Sequence, residues 1–251
     1  MPSSEAPARP PEWPAERRGK PVATLVGVIL LSLVCIPVAF GFVAIGKPSA
    51  VKYVVLFGAV LLLTAAYAYE TQLRRRDAQA EVARDGVELR YTRAGFLVLV
   101  GLMVCMTAIF AFAALDYFTS DNPVPAVLCA IAAVFCGSFP ALVVAGRVRA
   151  GRIRFTAAGI HQRGRAFSSF LPWESVAGAK AGWNGKPEVL IVAYANAPWE
   201  RRQHSRLWKL DKLPPVPMIE IDCTVLECAP EYAHRLVLSY VNDPATRREL
   251  P

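Results

Sequence analysis

Histidine is scarce in this chain, and the residues that usually accompany a catalytic histidine are missing around it. The 251 residues include three histidines, His161, His204 and His234, and none has a serine or cysteine nucleophile signature beside it. The sequence also lacks an HExxH motif, a P-loop and a glycine-rich dinucleotide fingerprint. It therefore predicts a protein that is not an enzyme and that binds no cofactor.

Metal-ligand spacing is missing from the cysteines as well. Four of the six lie inside apolar runs, where a free thiol behaves as a small hydrophobic group: Cys35, Cys105, Cys129 and Cys136. Cys223 and Cys228 have no second pair and no histidine at ligand spacing. This pattern argues against a zinc site and against a disulfide framework.

Charge is missing from four long apolar runs that precede residue 147. The predicted spans cover residues 22–46, 53–69, 94–115 and 124–146. Each is close to the roughly 20 residues that a helix needs to cross a bilayer, and the first is far longer than a signal-peptide core. We predict a four-helix transmembrane domain over residues 21–146. The lack of charge inside the spans argues against a coupled ion pathway.

The arginines and lysines between the spans predict the orientation of the chain. They are concentrated in the N-terminal tail, in the loop after the second span and after the fourth span, whereas the other two loops hold few. Both termini are therefore predicted on the cytoplasmic side of the plasma membrane. Residues 1–20, rich in proline, alanine and charge, are predicted to be a disordered tail.

Two arginine clusters adjoin the predicted spans and are candidates for contact with anionic lipid. They are Arg74, Arg75, Arg76, Arg147, Arg149, Arg152 and Arg154. At an anionic inner leaflet each such charge is worth about 1 kcal/mol. The clusters either dock the C-terminal domain on phospholipid headgroups or only set topology, and the sequence leaves both interpretations open. The net charge of +8 includes no dense basic stripe with interleaved aromatics, so a nucleic-acid partner is not expected.

Small residues line one face of the fourth predicted span, at Gly137, Ala141 and Ala145. Such a face allows another helix to approach closely. The sequence does not decide whether it packs within the helix bundle or forms an oligomer.

From Arg152 onward, short alternating segments replace the long runs, and residues 147–251 are predicted to form a small α+β domain. Strands are predicted at residues 152–156, 160–163, 168–181, 189–194 and 218–223. The proline-rich residues 196–217 predict a long loop or an insertion at a sheet edge. An apolar stripe after Pro230 predicts a helix at the end of the chain.

Two stretches of this domain resemble a known family. RIRFTAAGIH at 152–161, followed by LPWESV at 171–176, is similar to the opening of the bacterial PH-like domains of actinobacterial multi-pass membrane proteins. Residues 240–250 resemble the end of those domains. The resemblance implies an antiparallel bent sheet or barrel with a C-terminal helix, and it implies no catalysis. The insertion at 196–217 departs from the compact family pattern and leaves the number of strands open.

These observations favour a non-enzymatic integral membrane protein. In this interpretation the helices are an anchor, and a cytosolic PH-like module is presented to a protein or lipid partner. The alternative is an accessory subunit of a transporter or of a cell-envelope assembly complex, in which the helices are the working part.

Overall fold

The computed structural model describes residues 10–14, 19–73, 81–83, 86–205, 207–208, 214–248 and 250. The chain divides into a helical unit and a sheet unit. The helical unit comprises Arg17–Arg74 and Arg93–Arg147. The sheet unit comprises Met1–Glu16, Arg75–Thr92 and Val148–Pro251.

The helical unit contains the four predicted spans. They are α1 (Gly19–Ala44), α2 (Val51–Ala68), α3 (Arg93–Thr119) and α4 (Pro123–Val144). Each is long and apolar enough to cross a membrane, which confirms the spans predicted from the missing charge. The helix ends differ from the predicted ends by a few residues, most at α3.

The helices pack in chain order, α1 on α2, α2 on α3 and α3 on α4. The first contact is close at Gly58, where an added Cβ would lie 3.3 Å from Cys35 Cβ. The Ser32 hydroxyl donates across this contact to the Gly58 carbonyl at 3.1 Å. Thr64 and Thr107 instead donate to carbonyls four residues earlier in their own helices, as expected for hydroxyls in apolar helices.

A polar cluster joins the start of α2 to the end of α3. Lys52 Nζ lies 2.6 Å from Asp116 Oδ1, and the Tyr53 hydroxyl donates to Asp116 Oδ2 at 2.6 Å. The same ammonium lies 5.3 Å from the centroid of the Phe112 ring. One carboxylate of α3 therefore holds two side chains of α2.

The sheet unit contains nine strands and two C-terminal helices among its described residues. The strands are β1 (Glu81–Ala83), β2 (Gly86–Arg90), β3 (Arg152–Thr156), β4 (Gly159–Arg163), β5 (Phe167–Pro172), β6 (Val176–Trp183), β7 (Pro187–Ala193), β8 (Glu200–Gln203) and β9 (Met218–Asp222). The helices are α5 (Pro230–Asn242) and α6 (Pro244–Arg248). One sheet has the order β1-β2-β3-β4-β5-β8 and the other the order β6-β7-β9, and all neighbouring strands are antiparallel.

Both sheets and α5 contribute to one hydrophobic core. Ile153 and Leu171 enter it from the first sheet, Ile191 from the second and Val237 from α5, and all four are fully buried. The predicted antiparallel sheet with a C-terminal helix is confirmed at this level. The strand predicted around residue 190 is central, because β7 lies between β6 and β9. The insertion at 196–217 supplies the edge strand β8.

Strands β1 and β2, in the connection between α2 and α3, also belong to the first sheet, which the sequence pattern did not predict. Strand β2 pairs with β3 along its length, and Leu89 and Tyr91 are buried in the core. Gly151 makes room for the Tyr91 ring, because a Cβ there would lie 2.4 Å from a ring carbon. The alternation of residues 87–91 is short and lies in an arginine-rich stretch. The sequence therefore predicted a charged loop there and not a strand.

Residues 10–14 differ from the prediction of a disordered tail. Trp13 is 4% exposed and belongs to the core of the sheet unit. Composition predicts disorder from the average of a segment, whereas one aromatic side chain buries enough area to hold its neighbours. Residues 1–9 and 15–18 of the predicted tail lie outside the described residues.

Candidate functional site

An arginine row crosses the first sheet on the face opposite the core. Register pairs Arg90 with Arg152, Arg152 with Arg163, Arg163 with Ser168 and Ser168 with Arg202. Directly paired residues of an antiparallel sheet point to the same face. The alternate positions, such as Leu89 and Ile153, are buried in the core, so the row faces outward. We call Arg90, Arg152, Arg163 and Arg202 the arginine row.

A second row lies beside the first on the same face. It runs through Glu88, Arg154, His161, Phe170 and Glu200. The His161 and Phe170 rings are stacked with their centroids 4.2 Å apart. The pKa of His161 lies below its usual value, because of burial and then the nearby charge of Arg154, against the opposing charge of Glu200.

Glu88 is the only member of the second row whose side chain is almost entirely buried, at 4% exposure. Its carboxylate accepts from Arg90 Nε at 3.0 Å and from the Arg154 guanidinium at 3.3 Å, and it pairs with Arg152 at 3.6 Å. Burial alone would raise the pKa of Glu88. The hydrogen bonds from Arg90 and Arg154 and the charge of Arg152 outweigh burial and lower this pKa. Three guanidinium groups thus meet one carboxylate, and positive charge remains in excess.

The crowding of cations extends to the far end of the arginine row. The pKa of Arg163 is lowered by burial first and then by the charges of Arg149 and Arg152. The pKa of His204 is lowered in the same way, by burial and then by Arg163 and Arg202. A surface on which neighbouring cations depress each other's pKa favours a bound anion, because an anion relieves their repulsion.

One pair in this region has the spacing of a nucleophile and its base. Ser168 Oγ lies 3.0 Å from His204 Nε2. A general base has to accept the proton, and among the described residues the charges that act on the His204 ring come from two arginines. These arginines disfavour an imidazolium, and a triad would supply a carboxylate instead. The described surroundings of the pair are therefore cationic, as an anion-binding site requires.

The seven arginines that the sequence predicted for lipid contact lie in different parts of the molecule. Arg152 and Arg154 lie on the outer face of the first sheet, where both pair with Glu88. Arg149 is exposed and acts on Arg163 through its charge. Arg147 follows α4 in the helical unit, and Arg74, Arg75 and Arg76 lie outside the described residues.

Most residues of this face were not among the predicted contacts. The sequence pattern places Arg90 among the basic residues after the second span that set topology, and it does not single out Glu88, Arg163 or Arg202. The alternation of Val87-Glu-Leu-Arg-Tyr91 is the signal that identifies the first two as outward-facing strand residues. Sequence spacing gives no signal for Arg202, because its position depends on β8 pairing with β5.

Part of the small-residue face of α4 packs against another helix of the helical unit. An added Cβ at Gly137 would lie 3.3 Å from a Thr107 side-chain carbon on α3. Ala141 and Ala145 are exposed. Contact between α3 and α4 thus accounts for Gly137, and oligomerisation through this face stays a prediction.

Comparison with protein-family models, with curated proteins and with solved structures finds no match to this chain.

Proposed function

We propose that this protein is a non-enzymatic integral membrane protein with a PH-like module at the cytoplasmic face of the plasma membrane. Four helices hold the module at the bilayer, and the arginine row binds anionic phospholipid headgroups. Support for the PH-like assignment comes from the two antiparallel sheets around one core, followed by α5. This is the kind of arrangement that the resemblance implies.

The chain segments that form the sheet unit support a topology with both ends on one side of the membrane. Residues 10–14, β2 and β3 belong to the same unit, so they share one side of any bilayer that the helices cross. The α1–α2 pair returns the chain to that side before β2, and the α3–α4 pair returns it before β3. The excess of arginine and lysine in these same segments favours the cytoplasmic side.

The observation that carries the lipid proposal is the arginine row at the end of the sheet nearest to the spans along the chain. Two residues separate Arg90 from Arg93, the first residue of α3. The chain thus passes from the arginine row to a predicted span within three residues. A lipid headgroup is therefore the anion most available to this row.

The charge of the row suffices for measurable lipid binding. A basic side chain near an anionic membrane surface contributes about 1 kcal/mol. Glu88 neutralises one of the three charges of Arg90, Arg152 and Arg154. Arg163 and Arg202 lie farther along the arginine row, on β4 and β8. Arg163 and Arg202 together are therefore worth about 2 kcal/mol, or roughly 30-fold in affinity.

The test is a lipid titration of the full-length protein in neutral detergent. Phosphatidylglycerol or phosphatidylcholine is added, and bound lipid is counted by native mass spectrometry. We expect Arg163→Gln with Arg202→Gln to weaken binding of phosphatidylglycerol roughly 30-fold and to leave phosphatidylcholine unchanged.

The matched control removes two exposed cations from other parts of the sheet unit, Lys180→Gln with Arg248→Gln. The change in net charge is the same, so we expect only a small loss of affinity. Equal losses of phosphatidylglycerol affinity in the two double variants would show that net charge alone, and not the arginine row, determines binding. Equal binding of the two lipids by the unchanged protein would contradict the proposal.

A second candidate function is an accessory subunit of a larger membrane complex, and helix packing favours it. Within the described helices, α1 packs extensively only on α2, and α4 only on α3. Val134 of α4 is 74% exposed. A photo-crosslinker at this position in native membranes would capture another membrane protein if the chain is a subunit. Crosslinks to lipid alone would count against this candidate.

A further inference from the structure

Trp13 occupies a groove between the free edge of β6 and helix α5. Among the described strands, β6 pairs with β7 alone and forms an edge of the second sheet, and α5 packs against it. The indole Nε1 of Trp13 donates to the Gly182 carbonyl on β6 at 2.9 Å. Its ring lies 5.7 Å from the His234 ring on α5, with the two planes at 58°. The side chain is 4% exposed.

The groove exists because β6 carries small residues at its inward positions. Register pairs Ala179 with Ile191 and Ala181 with Val189, and the β7 partners are fully buried. Two alanines leave space that larger side chains would fill in a close-packed core. Trp13 supplies the missing volume and belongs to the same core cluster as Ala181.

The contacts combine the two features by which a groove recognises a peptide. An apolar side chain fills a pocket, and a polar atom bonds to the backbone of an edge strand. The segment is also preshaped, because the Trp13 amide donates to the Pro10 carbonyl at 3.1 Å and prolines restrict the chain on both sides.

The occupant is a separate piece of chain with a short tether. Trp13 precedes Gly19, the first residue of α1, by six positions. Short tethers give effective concentrations on the order of 1 mM. A competing peptide with a dissociation constant of about 0.1 mM would therefore bind roughly tenfold more weakly while the tethered segment is present.

We propose that the β6–α5 groove is a peptide-binding groove, which residues 10–14 occupy in cis. Its partner in trans is a protein segment that presents an exposed tryptophan between prolines, as residues 10–14 do. The tethered segment keeps the groove closed until such a partner displaces it. The groove lies on the second sheet and not on the arginine row, so this proposal goes beyond lipid binding and does not depend on it.

The test uses the full-length protein and a labelled synthetic peptide, ARPPEWPAE, which has the sequence of residues 8–16. Fluorescence anisotropy measures its binding to the unchanged protein and to Trp13→Ala. We expect Trp13→Ala to bind the peptide about tenfold more tightly. A peptide with alanine in place of the tryptophan is the control and should not bind.

His234→Ala in the Trp13→Ala background examines the other wall of the groove and should weaken peptide binding, because the ring contact is lost. Arg163→Gln with Arg202→Gln should leave peptide binding unchanged, which separates the two proposals. Equal binding of the tryptophan and alanine peptides by Trp13→Ala would overturn the groove assignment. If Trp13→Ala and the unchanged protein bind the peptide with equal affinity, residues 10–14 do not block the groove in cis.

A second measurement tests the proposal even if the Trp13→Ala variant does not fold. A protease site inserted between residues 14 and 19 is cleaved in an otherwise unchanged protein, which leaves the groove and its occupant intact but untethered. We expect the N-terminal fragment to dissociate on dilution and the labelled peptide to replace it. Retention of the fragment without exchange would assign Trp13 to the permanent core and contradict the proposal.

Discussion

Glu88 and Arg154 face each other across the β2–β3 pair, and the guanidinium donates to the carboxylate at 3.3 Å. The two residues lie on opposite sides of the α3–α4 helix pair in the sequence. Their contact thus joins the connection between two apolar helices to the C-terminal part of the chain, and both the fold and the charged face depend on it.

Glu88→Gln should lower the stability of the sheet unit and raise its affinity for anions. The variant removes the only buried carboxylate among three arginines, and we expect a loss of about 2 kcal/mol in the free energy of unfolding. This is less than for a fully buried pair, because the arginines are 26–51% exposed. Denaturant unfolding followed by tryptophan fluorescence measures the loss.

Affinity for phosphatidylglycerol should increase in the same variant, because the arginines lose their internal partner. Glu200→Gln, at an exposed position of the same face, is the control and should change stability little. A stability loss in Glu200→Gln as large as that in Glu88→Gln would contradict the role assigned to the buried carboxylate.

Asp116→Asn should weaken the contact between α2 and α3. The carboxylate pairs with Lys52 and accepts from Tyr53, and its side chain is 46% exposed, so we expect a small decrease in the unfolding temperature. Thermal unfolding in detergent, followed by circular dichroism at the helix band, measures it. Asp121→Asn is the control, because Asp121 has a φ of 57°, which asparagine tolerates well. Equal decreases of the unfolding temperature in the two variants would contradict a specific role of Asp116 in the α2–α3 contact.

The sheet unit should lose part of its stability as pH falls below about 6.5, the ordinary pKa of histidine. Burial lowers the pKa of His234 in the folded protein, against the weaker opposing charge of Glu12. Well above pH 6.5 the ring is neutral in both states. As pH falls from there toward the lowered pKa, the unfolded chain binds the proton first and gains stability relative to the folded protein.

Other groups contribute to the same pH profile, so the test is a difference between two proteins. The pKa of Glu188 is raised, with burial as its main cause, and its contribution has the opposite sign. The unchanged protein and His234→Gln are unfolded at pH 7.5 and at pH 5.5. We expect the unchanged protein to lose more stability than the variant over this range. Parallel losses would show that His234 does not titrate differently on folding.

Residues 148–251 alone should not form a stable domain. They lack β2, which pairs with β3, and they lack the core side chains Leu89, Tyr91 and Trp13. Joining residues 75–92 to residues 148–251 through a short glycine-serine linker should restore the fold. Such a linker fits, because the Tyr91 amide donates to the Gly151 carbonyl at 3.0 Å, so the two ends are close.

Limited proteolysis and amide dispersion in NMR spectra compare the two proteins. We expect dispersed, protected amides only when β2 is present. A well-folded 148–251 fragment would show that β2 contributes little, and an unfolded fusion would show that the sheet needs residues 10–14 or the helices.

The spans and most strands were predictable, because each depends on a local pattern. Missing charge identified α1 to α4, and alternation identified β3, β4 and β9. Three features depend on contacts between distant residues instead. They are the pairing of β2 with β3, the burial of Trp13 and the position of Arg202 beside Ser168. No local period encodes such contacts, and the arginine face was therefore predicted only in part.

The interrupted β2–β3 pair also sets an order of events during synthesis. Strand β2 emerges from the ribosome with its core side chains, and its partner β3 follows only after both α3 and α4 have been made. Until then β2 can pair with β1 on one edge while its other edge lacks β3, and pairing at long sequence separation is slow. Insertion of the α3–α4 helix pair thus precedes completion of the sheet, and a delay at that insertion leaves an exposed strand that is prone to aggregate.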